Sequence, residues 1–255
     1  MQKSNLFQYV LVALLIAGAF YIGSLRQKVI LLEKNQGTLG ANDTNVVDNT
    51  PTEAPFNVAD LSKLAKSAGL NVSDFEKCLN SDEAKKEVSD QQDSGVKAGV
   101  QGTPGIFLLD NQTGNIAVAP GAVPYEMLKT MMDKMIAGLT DADKKADPSA
   151  GIQYTDKTKL QLDPISGTDY VRGNAGTRFA LIDYSDYDCP FCKKFHPTAQ
   201  KLLSEYKDKV NWVYRQFPLD QLHPNARIKS QAARCAGKLG GGDAFWKFTD
   251  ALTQE

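Results

Sequence analysis

Apolar and polar positions alternate along this chain in three regimes. From Leu6 to Leu25, twenty residues run without a charge (LFQYVLVALLIAGAFYIGSL), long enough to cross a bilayer as one helix. Val29, Ile30, Leu31 and Leu32 prolong the pattern beyond Arg26 and Lys28, so residues 1–34 are expected to form a retained membrane anchor. Ala17-Gly18-Ala19 has the small-x-small spacing of a cleavage site, which keeps a removed signal peptide as the rival reading. Residues 35–57 hold Gly, Asn, Asp, Thr and Pro with almost no large apolar side chain, the composition of a flexible stem.

From Val58 the periods are those of a folded domain. Leu61, Leu64, Ala65 and Ala68 mark a short helix closed by Gly69, and Asn71 or Ser73 caps a second that carries Phe75, Cys78 and Leu79. Ser81 to Gly99 reads as a longer polar helix with Ala84, Val88 and Val96 facing inward. Val100 to Asp110 is a turn, a proline and a short apolar strand; Asn111 to Gly114 turns the chain into a second strand, Ile116 to Ala119. Pro124 opens a helix through Leu128, Met131, Met132, Met135 and Ile136, with the methionines at core spacing. Thr140 to Thr158 is a polar connector. A strand over Arg178 to Tyr184, a helix carrying Phe195, Ala199, Leu202, Leu203 and Tyr206, and a strand over Val210 to Phe217 follow. Helices at Asn225 to Leu239 and Asp243 to Leu252 end the chain.

Composition narrows the chemistry. The chain has 255 residues, 42% of them hydrophobic, and a formal net charge of −1, so no basic excess points to nucleic acid. The candidate chemistry is Cys189-Pro190-Phe191-Cys192, placed where the apolar strand hands over to a helix. Pro190 suits the first helical turn, which puts Cys189 at or beside the N-cap, where free N–H groups and the helix dipole favour a thiolate. Cys192, one turn on, can close a small disulfide ring. A zinc site would need two more ligands from Cys78, Cys235, His196 and His223, which form no second cluster, so redox chemistry is the preferred reading and metal the alternative. Lys3 lies on one side of the apolar span and Arg26, Lys28 and Lys34 on the other, which orients the span only weakly; the thiol chemistry favours the extracytoplasmic side.

These residues carry a resemblance. DYSDYDCPFCKKFHP, VNWVYRQFPLDQLHPNA and ARCAGKLGGGDAFWKFTDAL, within residues 165–255, resemble the N-terminal half of a DsbA-like protein of the thioredoxin superfamily. LAKSAGLNVSDFEKCL, AGVQGTPGIFLLD and PYEMLKTMMDKM, within residues 58–139, resemble the C-terminal half of the same family. The order is reversed. The resemblance therefore implies an α/β, thioredoxin-like fold with a helical insertion, circularly permuted, joined through a linker at 140–164 and preceded by one transmembrane helix. A swapped dimer, with halves complementing between chains, is the alternative assembly.

The resemblance also implies roles. Thr103-Pro104 would be a cis peptide whose Thr103 backbone pairs with a substrate strand beside Cys189. Cys189 would be the exposed nucleophile and Cys192 the buried resolving thiol, with Pro190 and Phe191 as active-site neighbours; His196, four residues beyond Cys192 and on the same side of the helix, is read as a further neighbour, with plain polar surface as the alternative. Strongly oxidising members of the family have a histidine between the cysteines, which Pro190-Phe191 lacks, and Asp186 and Asp188 sit where they would oppose a thiolate. Cys78 and Cys235 complete an even number of cysteines, one on each half of the helical insertion, and are expected to form a structural disulfide; two buried free thiols are the alternative. The expected function is a single-pass, membrane-anchored, extracytoplasmic thiol–disulfide oxidoreductase acting on thiol- or disulfide-containing proteins, with a membrane redox partner that recycles the Cys-x-x-Cys pair and with neither cofactor nor metal. The alternative is a non-catalytic thioredoxin-like module that binds peptides or metal.

Overall fold

The computed structural model describes residues 57–145 and 151–254. The expected anchor at 1–34, nearly all of the stem and Glu255 lie outside the described residues. Among the described residues no helix is long and apolar enough to cross a membrane.

Three helices come first: α1 (Val58–Ser67), α2 (Val72–Leu79) and α3 (Asp82–Lys97). Each starts on a side-chain cap, with Asn57, Asn71 and Ser81 accepting from Ala59, Asp74 and Ala84 backbone N–H groups. The hairpin β1 (Gly105–Asp110) and β2 (Asn115–Ala119) leads to α4 (Tyr125–Ala137). After a short 3₁₀ turn come β3 (Gln153–Asp156), β4 (Val171–Arg172), β5 (Phe179–Ser185), α5 (Pro190–Glu205), β6 (Val210–Gln216) and α6 (Ala226–Gln254). Gly241, at φ 72°, breaks α6 into the two helices that the sequence predicts.

The strands form one sheet in the order β3-β2-β1-β5-β6-β4. Only β5 and β6 run parallel; the other pairs are antiparallel. The proline-led strand and the cysteine-led strand are therefore direct neighbours, with Gly105 opposite Tyr184 and Ile106 opposite Asp183. Successive residues alternate faces. Ile106, Leu108, Leu181 and Trp212 pack under α4, α5 and α6, in a core with Met131, Met132, Phe195, Phe245 and Phe248. Phe107, Leu109, Ala180, Ile182 and Val213 face the other way.

That second face departs from expectation. It is covered by the end of α3 and by an irregular segment carrying Leu160, Leu162 and Ile165, not by a full helical layer. The stretch expected to be only a connector thus contributes both a core segment and the edge strand β3, whose Thr155 pairs with Ile116. Val96, expected to face inward, is 60% exposed. The inward residues at that end of α3 are Ser94 and Gly95, and a Cβ on Gly95 would lie 2.6 Å from the Phe217 ring and 2.8 Å from Tyr184. Alanine normally gains about 1 kcal/mol over glycine inside a helix. Here overpacking at about 1–3 kcal/mol outweighs that gain, which explains a glycine in mid-helix.

Side chains bind the two sequence segments across the sheet and the helices. Arg178 clasps the Asp110 carboxylate through Nε at 3.0 Å and Nη2 at 2.7 Å, and Arg234 reaches Glu87 at 3.0 Å. Cys78 on α2 is disulfide-bonded to Cys235 on α6, as expected, across 157 residues of sequence. In the chain-entropy account a loop of that length contributes up to about 5 kcal/mol. Replacing both cysteines by alanine is expected to lower the unfolding free energy by about 2–5 kcal/mol in denaturant titration while leaving thiol reactivity at residue 189 intact.

Candidate active site

The site is built where β5 ends. Cys189 is the N-cap of α5 with an extended backbone (φ −69°, ψ 119°), and Pro190 occupies the first helical position, where a missing N–H costs nothing. The Thr103-Pro104 peptide is cis, and the β1–β5 register brings it to the same end of the sheet. When protonated, the Cys189 thiol donates to the Thr103 carbonyl at 3.4 Å. Cys189 is not the exposed sulfur expected. It is 4% exposed and Cys192 is 2% exposed, because the Thr103-Pro104 loop lies against the first cysteine. Pro190 and Phe191 are on the surface, Phe191 at 60%, and offer a partner an apolar contact next to the sulfur.

Both cysteines are reduced in this structure, and their environments drive them apart. The Cys192 thiol donates to Cys189 and, against burial, draws the Cys189 pKa from 9.0 down to about 5; the backbone N–H groups of Cys192 and Phe191 add to this. Burial pushes Cys192 up, reinforced by its hydrogen bond to Cys189 and by the charge of Asp183. One thiol therefore ionises and the other keeps its proton.

Asp183 is the residue that the sequence reading missed. It is 1% exposed, and its Oδ1 finds no hydrogen-bond partner in the chain. Burial pushes its pKa up to about 8; Ser185 and Trp212 oppose that push and the Cys189 charge adds to it. The available signal was a carboxylate inside a largely apolar strand, FALIDYS, whose every residue is buried.

Two expectations need correction. Asp186 and Asp188 are not loose charges facing the thiolate. Asp186 Oδ2 accepts from the Leu219 N–H and His223 Nδ1, each at 2.8 Å, and Asp188 pairs with Lys229 at 2.7 Å. His196 is not an active-site neighbour through hydrogen bonding. Its Nε2 is 2.8 Å from Asp250, its Nδ1 has no partner, and its ring lies 4.8 Å from that of Trp212. On α5 it faces the core while Cys189 caps the helix end. Against burial, hydrogen bonds from His196 and Arg172 hold Asp250 down at about 2. Among the described residues no three His, Cys, Asp or Glu side chains gather to hold a metal ion.

A helix-capping Cys-x-x-Cys facing a cis proline across neighbouring strands of a mixed sheet defines the thioredoxin class of site. Comparison with known families agrees. Residues 166–255 match a thioredoxin family and residues 50–133 match the DSBA-like thioredoxin domain. The chain is a DsbA-like member of the thioredoxin superfamily. Pseudomonas aeruginosa DsbA2 is similar at 32% identity over 36% of this chain and 50% of that one, with a TM-score of 0.33, too partial a likeness to add to the sheet topology. Segments of curated proteins are also similar. The Na(+)/H(+) antiporter NhaA 1 of Salinispora arenicola is 34% identical over 84 residues, and NhaA 3 of Salinispora tropica is 36% identical over 84 residues. Each match covers 33% of this chain but only 12% of the relative, so the chain spans about an eighth of those proteins' length.

The opposed thiols give a direct expectation. The rate of alkylation at Cys189 should be nearly flat between pH 6 and 8 and should fall as pH drops through about 5. A rate that instead climbs steadily to pH 9 would mean that Cys189 is an ordinary thiol.

Proposed function

We propose that this protein is a thiol–disulfide oxidoreductase acting on cysteines of other proteins, and that it works chiefly as an oxidant. The observation that carries this reading is Cys189 at the N-cap of α5 against the cis Thr103-Pro104 peptide, with Cys192 one turn on, an arrangement that lowers the Cys189 pKa while Cys192 keeps its proton. Stabilising the thiolate stabilises the reduced pair, and a stable reduced pair makes the disulfide form readier to oxidise a substrate. The absence of a histidine between the cysteines does not oppose this, because the Cys192 thiol and two backbone N–H groups supply the donors.

In the oxidising direction a substrate thiolate attacks the Cys189 sulfur of the Cys189–Cys192 disulfide. Cys192 leaves with the electron pair and takes a proton from the Asp183 carboxyl, which burial keeps protonated up to about pH 8. A second substrate thiolate then attacks the substrate sulfur of the mixed disulfide, releasing the Cys189 thiolate and an oxidised substrate. Both electrons end on the two cysteines. The Thr103 backbone, beside Cys189, is where an extended substrate segment would align, with Phe191 as an apolar contact.

Cys189→Ser should abolish exchange, and Cys192→Ser should accumulate mixed disulfides detectable by mass spectrometry. The potential against glutathione should be more positive than about −200 mV. Full exchange by Cys189→Ser would sink the assignment, and a potential near that of a dedicated reductant would reverse the direction.

We further propose a single-pass membrane anchor at residues 1–34, a stem at 35–57, an extracytoplasmic catalytic domain and a membrane redox partner that recycles the pair; the uncharged run Leu6–Leu25 and the redox chemistry support this. We also read the chain as a circular permutant. The thioredoxin match follows the DSBA-like match in sequence, and residues 140–164 join what would be the ancestral ends. The full chain should stay with membranes through an alkaline wash. A rearranged chain with residues 165–255 ahead of 58–139 should fold and exchange disulfides. Release by the wash argues against the anchor, and an unfolded rearranged chain argues against permutation.

A further inference from the structure

The residue immediately before the nucleophile is an acid. Asp188 and Cys189 are chain neighbours with α-carbons about 3.8 Å apart, and a carboxylate that close disfavours a thiolate. The backbone there is pinned. The Asp188 N–H donates to Asp186 Oδ1 at 2.8 Å, and the Cys189 N–H donates to the Asp186 carbonyl at 3.2 Å. Asp186 is fully buried and is held from the other side by the Leu219 N–H and His223. The turn is therefore a fixed platform, and the main freedom left at Asp188 is the direction of its side chain.

That direction is set from α6. Lys229, in the first turn of α6, donates from Nζ to Asp188 Oδ1 at 2.7 Å. Lysine is almost never fully buried unless it is paired, and Lys229 is only 5% exposed. Its partner is no surface acid either, since the Asp188 side chain is 19% exposed. Taking such a pair out of water is costly, and an apolar pair of similar volume often serves stability as well or better. Stability is thus a poor reason for this pair. Its neighbours on the same helix show the contrast. Arg234 and Lys238 pair with Glu87 and Glu83 on α3 and tie helix to helix. Lys229 reaches instead to the turn that carries Cys189.

Resting on the oxidoreductase reading above, we propose that Lys229 is a positioning residue that sets the oxidising strength of the active pair. It draws the Asp188 carboxylate toward α6 and neutralises it, so the Cys189 thiolate forms beside an ion pair and not beside a bare anion. The closed disulfide carries no charge, so this effect falls on the reduced state. Stabilising the reduced state makes the disulfide the stronger oxidant. The two partners act on Cys189 with opposite sign. Loss of the lysine leaves an anion beside the sulfur, and loss of the acid leaves a cation. Opposite effects that cancel when combined are what a pair serving only to join α6 to the turn would not give.

The test reads two quantities on the full chain. One is the Cys189 alkylation rate at pH 4, where only part of the thiol is ionised. The other is the equilibrium of the Cys189–Cys192 pair with reduced and oxidised glutathione at pH 7. In Lys229→Met the alkylation rate should fall about threefold to tenfold, and the equilibrium should move by a similar factor toward the disulfide. In Asp188→Asn both should move the other way. The double variant should return to within about twofold of wild type. Wild-type values in Lys229→Met overturn the proposal. A double variant that stays as low as Lys229→Met also overturns it, because Lys229 would then act through something other than Asp188. A shift of Asp188→Asn in the same direction as Lys229→Met makes the pair merely structural and overturns it too. If Lys229→Met folds poorly, Asp188→Asn decides by itself, since an unchanged or lowered rate there overturns the proposal and a raised one upholds it. A wild-type protein that forms no Cys189–Cys192 disulfide at any glutathione ratio overturns the oxidoreductase reading, and the proposal with it.

Discussion

The antiparallel ladder between β1 and β5 is the constraint on which the site depends. It pairs Gly105 through Asp110 with Tyr184 back to Phe179, so the proline that precedes β1 and the cysteines that follow β5 emerge at the same end of the sheet. Neither strand could be moved by one residue without turning its buried side chains to the opposite face. Both faces are apolar and occupied, by Ile106 and Leu108 on one side and by Phe107 and Leu109 on the other, so such a slip is strongly disfavoured. Hydrophobic packing therefore fixes a contact, between Thr103 and Cys189, that has almost no binding energy of its own. The Asp110–Arg178 clasp closes the far end of the same ladder.

With geometry fixed by packing, the chemistry is set by how one negative charge is shared in a region of low dielectric. Cys189, Cys192 and Asp183 are all buried, and three adjacent charges there would be costly. The Cys192 hydrogen bond and nearby backbone N–H groups favour ionisation of Cys189, while burial shifts the other two upward so that they hold protons. The acidic residues outside this trio are kept from adding to the repulsion: Asp186 is wrapped by the Leu219 N–H and His223, and Asp188 is paired with Lys229 on α6. The helical region thus does more than cover the sheet, since it supplies the cation that compensates the residue next to the nucleophile.

How much of this was legible in sequence follows from the range of each interaction. Local signals were readable. The cap at Asn71 or Ser73, the helix beginning at Ser81, the Pro190 helix start, the two final helices and the apolar run of β5 depend on neighbours within a turn or two. The cis Thr103-Pro104 bond and the Cys78–Cys235 pairing came from the family pattern, since neither follows from local residues. What escaped were side chains whose environment is made by distant strands. β3 reads QYTD, too polar to announce itself, and exists because β2 offers it an open edge. Gly95 is inward only because Phe217 and Tyr184 leave no room for a side chain. His196 has the spacing to approach Cys192, but Asp250 and Trp212 claim its ring. Asp183 passed unremarked within a strand read as apolar, and only its burial, made by distant elements, raises its pKa.

The four cysteines show how one residue type is divided between two tasks by its surroundings. Cys78 and Cys235 lie on helices packed within the core and close 157 residues of chain. Opening that bond would restore loop entropy to the unfolded chain, so the stapled form is the stable one. Cys189 and Cys192 close a ring of only one helical turn, and opening it yields a thiolate that is already solvated by protein donors. The first pair loses by reduction and the second gains. Any thiol or disulfide that reacts with the active pair has to reach the Cys189 sulfur past Thr103 and Phe191.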